Sequence, residues 1–147
     1  MAYFSPILAA QLTGLTMAAV SFALPERLSD HTLPPSLFAE LDPSTPKPSL
    51  SVTASPNGDG WRLDLEAENW AFSELCGRTK SPIATGHAHI YLDETKIGTA
   101  TLPVFYIDDL PTGPQQITVT LRAADHRVLV HDGQVISAHV TLNHPAG

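Results

Sequence analysis

The chain has 147 residues, of which 43% are hydrophobic and 16% are charged, and its formal net charge is -7. This composition excludes a disordered acidic chain, because it supplies enough apolar surface for a core of ordinary size. The eight Lys and Arg residues are scattered and outnumbered by fifteen Asp and Glu, so we expect no nucleic-acid partner.

The first 25 residues contain no charged side chain, and residues 7–24 are mostly apolar. As a helix, this stretch would span about 27 Å, close to the hydrocarbon thickness of a bilayer. The pattern predicts a hydrophobic signal peptide or a membrane anchor over residues 1–25. Small residues around Phe22 favour cleavage, whereas the missing positive segment favours retention. The predicted location is the periplasm, either soluble after cleavage or anchored in the inner membrane through residues 7–24.

Residues 26–48 contain five prolines and are predicted to form a Pro-rich linker, since proline interrupts both helices and interior strands. Within this linker, residues 36–41 are predicted to form one helical turn. Ser36 would cap that turn, and Leu37, Phe38 and Leu41 would form its apolar face.

Residues 49–147 are predicted to form an all-β domain, an immunoglobulin-like β-sandwich, because short alternating runs are separated by turn residues every eight to twelve positions. The predicted strands cover residues 50–54, 61–67, 87–92, 97–102, 104–107, 116–123 and 134–143. Residues 73–86 and 124–133 are predicted to be loops, the second of them connecting a final hairpin.

Residues 87–92 alternate between two classes of side chain. Because successive side chains of a strand point to opposite faces, one face is predicted to enter the core and the other to meet solvent. The predicted core side chains are Ala88, Ile90 and Leu92, and the predicted outward ones are His87, His89 and Tyr91. In the last strand, Ser137, His139 and Thr141 are predicted to point outward as well.

Several histidines are expected to meet at one end of this domain. The strand that holds His87 is predicted to pair antiparallel with residues 116–123, which brings the following Asp125 and His126 close to it. His131 belongs to the same loop. The single cysteine, Cys76, lies in a loop expected at the same end, as a buried apolar residue or as a soft ligand; being alone, it excludes an intramolecular disulfide.

Imidazoles at positions i and i+2 of a strand project from one face, and a third from a neighbouring loop completes a nitrogen site suited to zinc or copper. The predicted ligands are His87, His89, His126 and His131, with Asp125 orienting a ligand histidine. Metal binding would be lost below about pH 6 as the imidazoles take up protons. The alternative is a solvated strand face with His126 capping a turn.

The order of these motifs is similar to that of a known group of proteins. Residues 86–93 read GHAHIYLD, followed by DLPTG at 109–113, ITVTL at 117–121 and ADH at 124–126. The chain resembles, over about Asn69 to Leu142, uncharacterised bacterial secreted domains with an immunoglobulin-like sandwich. The resemblance implies an immunoglobulin-like fold and export from the cytoplasm. It also implies a recurring set of histidines, formed here by His87, His89 and His126.

Catalytic motifs of hydrolases, zinc proteases and phosphate-binding enzymes are missing from the sequence, so we expect no enzyme. The first interpretation is a non-enzymatic binding or accessory domain that binds another protein, such as a membrane protein complex. The second is a periplasmic copper or zinc binder that uses the histidines. The third is a metal-dependent hydrolase built on the same cluster.

Overall fold

The computed structural model describes residues 34–74 and 83–144. The predicted signal peptide or anchor at residues 1–25 and the predicted role of Cys76 lie outside these residues. Among the described residues, no helix is long and apolar enough to cross a membrane.

The described chain is all-β, as predicted, and consists of strands joined by turns and short loops. Its strands are β1 (Phe38–Glu40), β2 (Ser49–Asn57), β3 (Gly60–Glu68), β4 (Trp70–Phe72), β5 (Ala84–Leu92), β6 (Thr95–Ala100), β7 (Val104–Ile107), β8 (Gly113–Ala123), β9 (Val128–His131), β10 (Gln134–Val135) and β11 (Ser137–His144).

These strands form two sheets. The larger sheet has the order β1-β9-β8-β5-β4, while β2, β3 and β7 form a three-stranded sheet. In the larger sheet, β11 also pairs with β8, β6 with β5 and β10 with β9. The central strands β5 and β8 run antiparallel, as the sequence predicted, and their register places His87 opposite Arg122.

One hydrophobic core receives side chains from both sheets. Its members alternate along the strands, because only every second side chain of a strand faces inward. Ala88 and Ile90 are fully buried, which confirms the predicted core face of β5. The other buried members include Leu63, Leu65, Trp70, Ile107, Ile117, Val119, Leu121, Leu129 and Leu142.

The predicted helical turn at residues 36–41 is wrong. The N–H groups of Leu37 and Phe38 both donate to the carbonyl of Pro34, at 2.9 and 3.1 Å, so the chain turns over residues 34–38, immediately before β1. Phe38–Glu40 then forms β1, which pairs in parallel with β9. The segment finds its hydrogen-bond partners in the sheet, and Leu37 remains 60% exposed.

The predicted loop at residues 124–133 is also wrong in part, because residues 128–131 form β9. This apolar run extends the larger sheet beyond the point where β11 leaves β8. The pairing of β8 with the last strand is antiparallel, as predicted. The end of the loop predicted at 73–86 is wrong, since β5 already begins at Ala84.

Candidate metal centre

Strand β5 places His87 and His89 on one face of the larger sheet, opposite the face that carries Ala88 and Ile90. Gly86 precedes them, and a Cβ atom at this position would collide with the carbonyl of Arg122 and the ring of Trp70. Glycine therefore lets β8 and the indole approach the start of the histidine strand closely. The close pairing fixes Arg122 directly across from His87.

The prediction that His87 and His89 are solvated is wrong, although their face of the strand is correct. His87 is only 4% exposed and His89 only 8%. The His126 ring lies against His87, with ring centroids 4.5 Å apart, and the Lys96 ammonium reaches His89 from β6. Loop and neighbouring-strand side chains thus cover a sheet face that alternation alone assigns to water.

His126 belongs to a tight turn between β8 and β9. Its N–H donates to the carbonyl of Ala123 at 2.9 Å, and the N–H of Ala123 donates to the carbonyl of Arg127 at 3.0 Å. His126 has a φ of 70°, a left-handed conformation that non-glycine residues adopt rarely. The turn aims the imidazole back over β5, where the sequence predicted it.

Arg127 holds this turn in place. Its Nε donates to Oδ2 of Asp125 at 2.9 Å, and Oδ1 of the same carboxylate accepts the backbone N–H of Arg127 at 3.3 Å. The hydrogen bond from the arginine side chain is the main cause that lowers the pKa of Asp125. Nη1 of Arg127 also donates to the carbonyls of Pro35 and Phe38, at 3.0 and 3.3 Å. The turn is therefore connected to β1.

Three of the four predicted ligands come together. His87, His89 and His126 each offer a ring nitrogen, and these atoms lie within 4.8 Å of one another. The centroids are 5.2 Å apart for His87 and His89 and 6.0 Å apart for His89 and His126. A tetrahedral zinc ion bound at about 2.0–2.1 Å separates ligand nitrogens by about 3.4 Å and ring centroids by about 5.2 Å. Metal binding would therefore require the rings of His89 and His126 to approach by about 0.8 Å and those of His87 and His126 to separate by about 0.7 Å.

The hydrogen bonds of His89 define which of its nitrogens carries the lone pair. Nζ of Lys96, which can only donate, lies 3.2 Å from Nε2 of His89. Nδ1 must then carry the proton, and it faces the hydroxyl of Tyr91 at 3.4 Å. That hydroxyl also accepts a hydrogen bond from Nη2 of Arg122 at 2.6 Å. His89 would therefore bind a metal through Nε2 in place of Lys96, while Nδ1 keeps its contact with Tyr91.

Burial and neighbouring cations keep both strand histidines neutral. Desolvation is the main cause that lowers the pKa of His89 to about 4, and the charges of Lys96 and Arg122 lower it further. Desolvation, followed by His126 and the same two cations, lowers the pKa of His87. Neutral imidazole is the form that binds metals. For His89, the lowered pKa of about 4 lies below the limit of about pH 6 that the sequence suggested.

His131 does not join the three-histidine group. It lies on β9, where it pairs with Gln134 of β10 and is 7% exposed. Its Nδ1 is 3.1 Å from Oδ2 of Asp132. His139 points outward on β11, as predicted, and its Nδ1 is 2.9 Å from Oγ1 of Thr118.

Sequence reasoning missed the two cations at the site, Lys96 and Arg122. Arg122 could have been found from the predicted pairing of its strand with that of His87, because this register places the two residues opposite each other. Lys96 lies opposite Tyr91 in the pairing of β5 with β6. Alternation could not predict this position, because the register of the two strands shifts between Ile90 and Tyr91.

Comparisons of the chain with protein-family models, with curated proteins and with solved structures gave no match.

The side chains define what the site can do chemically. Three imidazole ligands suit zinc or copper and leave at least one coordination position for a further ligand.

Proposed function

We propose that this chain is a non-enzymatic, extracytoplasmic binding domain that holds a zinc or copper ion through His87, His89 and His126. The observation that carries the proposal is the convergence of three imidazole nitrogens within 4.8 Å. Two adjacent features support it. The lone pair of His89 lies on Nε2, and burial lowers the pKa of both strand histidines, which favours the neutral form that binds metals.

The scaffold proposed for this site is an immunoglobulin-like sandwich. The shared core between the two sheets and the central antiparallel pair β5–β8 support it. The proposed location outside the cytoplasm, and an accessory role beside a membrane protein complex, are supported by the uncharged, apolar sequence of residues 7–24.

The binding experiment compares one ligand histidine with one histidine outside the group. His126→Asn removes a ligand, and Asn tolerates the left-handed backbone at this position. His139→Asn is the matched control, because His139 is exposed on the same sheet face. The purified full chain, stripped with EDTA, is titrated with Zn²⁺ and with Cu²⁺ by calorimetry.

We expect one metal ion per wild-type chain and unchanged affinity in His139→Asn. His126→Asn should lose more affinity than the roughly 10- to 100-fold that changes around metal ligands cost. The proposal is wrong if the wild type binds neither metal, or if both variants bind as the wild type does. Circular dichroism of each variant verifies that its fold is retained.

A further inference from the structure

The Lys96 ammonium lies where a metal ion would bind His89. Its Nζ is 3.2 Å from Nε2 of His89, the nitrogen that carries the lone pair when Nδ1 is protonated. An ammonium and a metal ion cannot share this lone pair, so metal binding must displace the ammonium. Lys96 is exposed, and its long flexible stem lets the charge move away without disturbing the core.

The displaced ammonium can move only as far as its side-chain stem reaches, because its backbone is fixed in β6, paired with Tyr91 of the histidine strand. A second cation is also held at the site, since Arg122 donates to the hydroxyl of Tyr91 at 2.6 Å and to the carbonyl of His126 at 3.5 Å. The site therefore keeps two positive side chains beside any bound metal ion.

The three ligands of the group are all imidazoles, which are neutral when they bind a metal. A divalent ion there would carry its full charge beside Lys96 and Arg122, with no charge from the ligands to offset it. Like charges at about 4 Å repel even in water. An anion on the metal would offset this repulsion and give the displaced ammonium a partner.

Resting on the metal site proposed above, we propose that the domain binds its metal together with a small oxyanion, which occupies the open coordination position and pairs with the displaced Lys96 ammonium. In this exchange one oxygen of the anion replaces a water on the metal, and no redox change occurs. Lys96 then opposes the metal ion and favours the anion, so its removal must change the two affinities in opposite directions.

The test uses the full chain loaded with Co²⁺, whose visible bands report the ligands of the ion, and sodium acetate as the anion, at constant ionic strength maintained with perchlorate. Lys96→Met removes the charge and the hydrogen bond to His89. Lys96→Arg restores the charge. Lys47→Met is the control for net charge, because Lys47 precedes the first strand of the other sheet.

We expect Lys96→Met to bind Co²⁺ about fivefold more tightly, as the competing hydrogen bond and the repulsion are lost, and to bind acetate about fivefold or more weakly. Lys96→Arg should keep the acetate affinity, and Lys47→Met should change neither value.

The proposal is overturned if Lys96→Met binds acetate as tightly as the wild type, or if Lys96→Met weakens Co²⁺ binding. An absence of Co²⁺ binding in the wild type would overturn the metal site itself, and with it this inference. If the protein binds Co²⁺ but the acetate affinity does not depend on Lys96, the anion proposal fails while the metal site is retained.

Discussion

The lowered pKa of His89 predicts how the stability of the metal-free protein depends on pH. The pKa of this histidine is about 4 in the folded protein, compared with 6.5 for an unperturbed imidazole. Between these two values the unfolded chain binds more protons than the folded one. The free energy of unfolding therefore has its full value above about pH 6.5 and decreases as the pH falls towards 4.

The size of this effect follows from the pKa difference. At about 1.36 kcal/mol per pKa unit, the change from 6.5 to about 4 corresponds to about 3 kcal/mol. Because the neighbouring Lys96 is exposed to water, solvent screening reduces the contribution of its charge. We therefore expect His89 to account for about 2 kcal/mol of the stability that is lost between pH 7.5 and pH 4.5.

Urea unfolding in EDTA, followed by tryptophan fluorescence at both pH values, measures this loss. The control is His89→Gln, which has a similar size and can still accept a hydrogen bond from Lys96 but does not titrate. The loss of stability on acidification should be about 2 kcal/mol smaller in this variant. Equal losses in the wild type and the variant would refute the reasoning, as would a His89 midpoint near 6.5 in an NMR titration.

Two further predictions concern stability without metal. Because His87 and His89 are buried, the double substitution to Ala should lower the free energy of unfolding by about 2 kcal/mol or more, and a change under about 0.5 kcal/mol in urea unfolding would show that the pair is solvated. Arg127→Ala should lower the free energy of unfolding more than a surface ion-pair substitution does, since it removes hydrogen bonds to two backbone carbonyls. The control is Arg62→Ala, which removes only an exposed ion pair and should lower the free energy of unfolding by under about 1 kcal/mol. If thermal unfolding shows the same loss of stability in both variants, Arg127 does not hold the His126 turn in place.

The strand pattern was predictable because its cause is local. Alternation identified Ala88 and Ile90 as core residues, and turn residues separated the strands at nearly the observed places. The antiparallel pairing of the histidine strand with residues 116–123 followed from the expected sheet order, and it correctly brought His126 to His87.

The burial of the two strand histidines was not predictable, because it depends on how far loop and neighbouring side chains extend over the sheet. Alternation indicates which face a residue occupies, but it does not indicate what covers that face. Strand β1 was not predictable either. The proline content of residues 26–48 gave no indication that part of this segment pairs in parallel with β9. His131 was grouped with the ligands from its loop position, whereas its β9 pairing with β10 places it outside the three-histidine group.

The hydrogen bonds from Arg127 to Pro35 and Phe38 affect the order in which the three histidines are brought together during folding. Arg127 is bonded to Pro35 and Phe38 across separations of 92 and 89 residues, whereas the two strand histidines lie two positions apart. Contacts between distant parts of a chain carry a larger loop-closure cost and form more slowly than local ones. His87 and His89 would thus be aligned when β5 and β8 pair, while His126 would be secured only after the chain's first described strand has docked. Metal uptake would then mark the end of folding rather than its beginning.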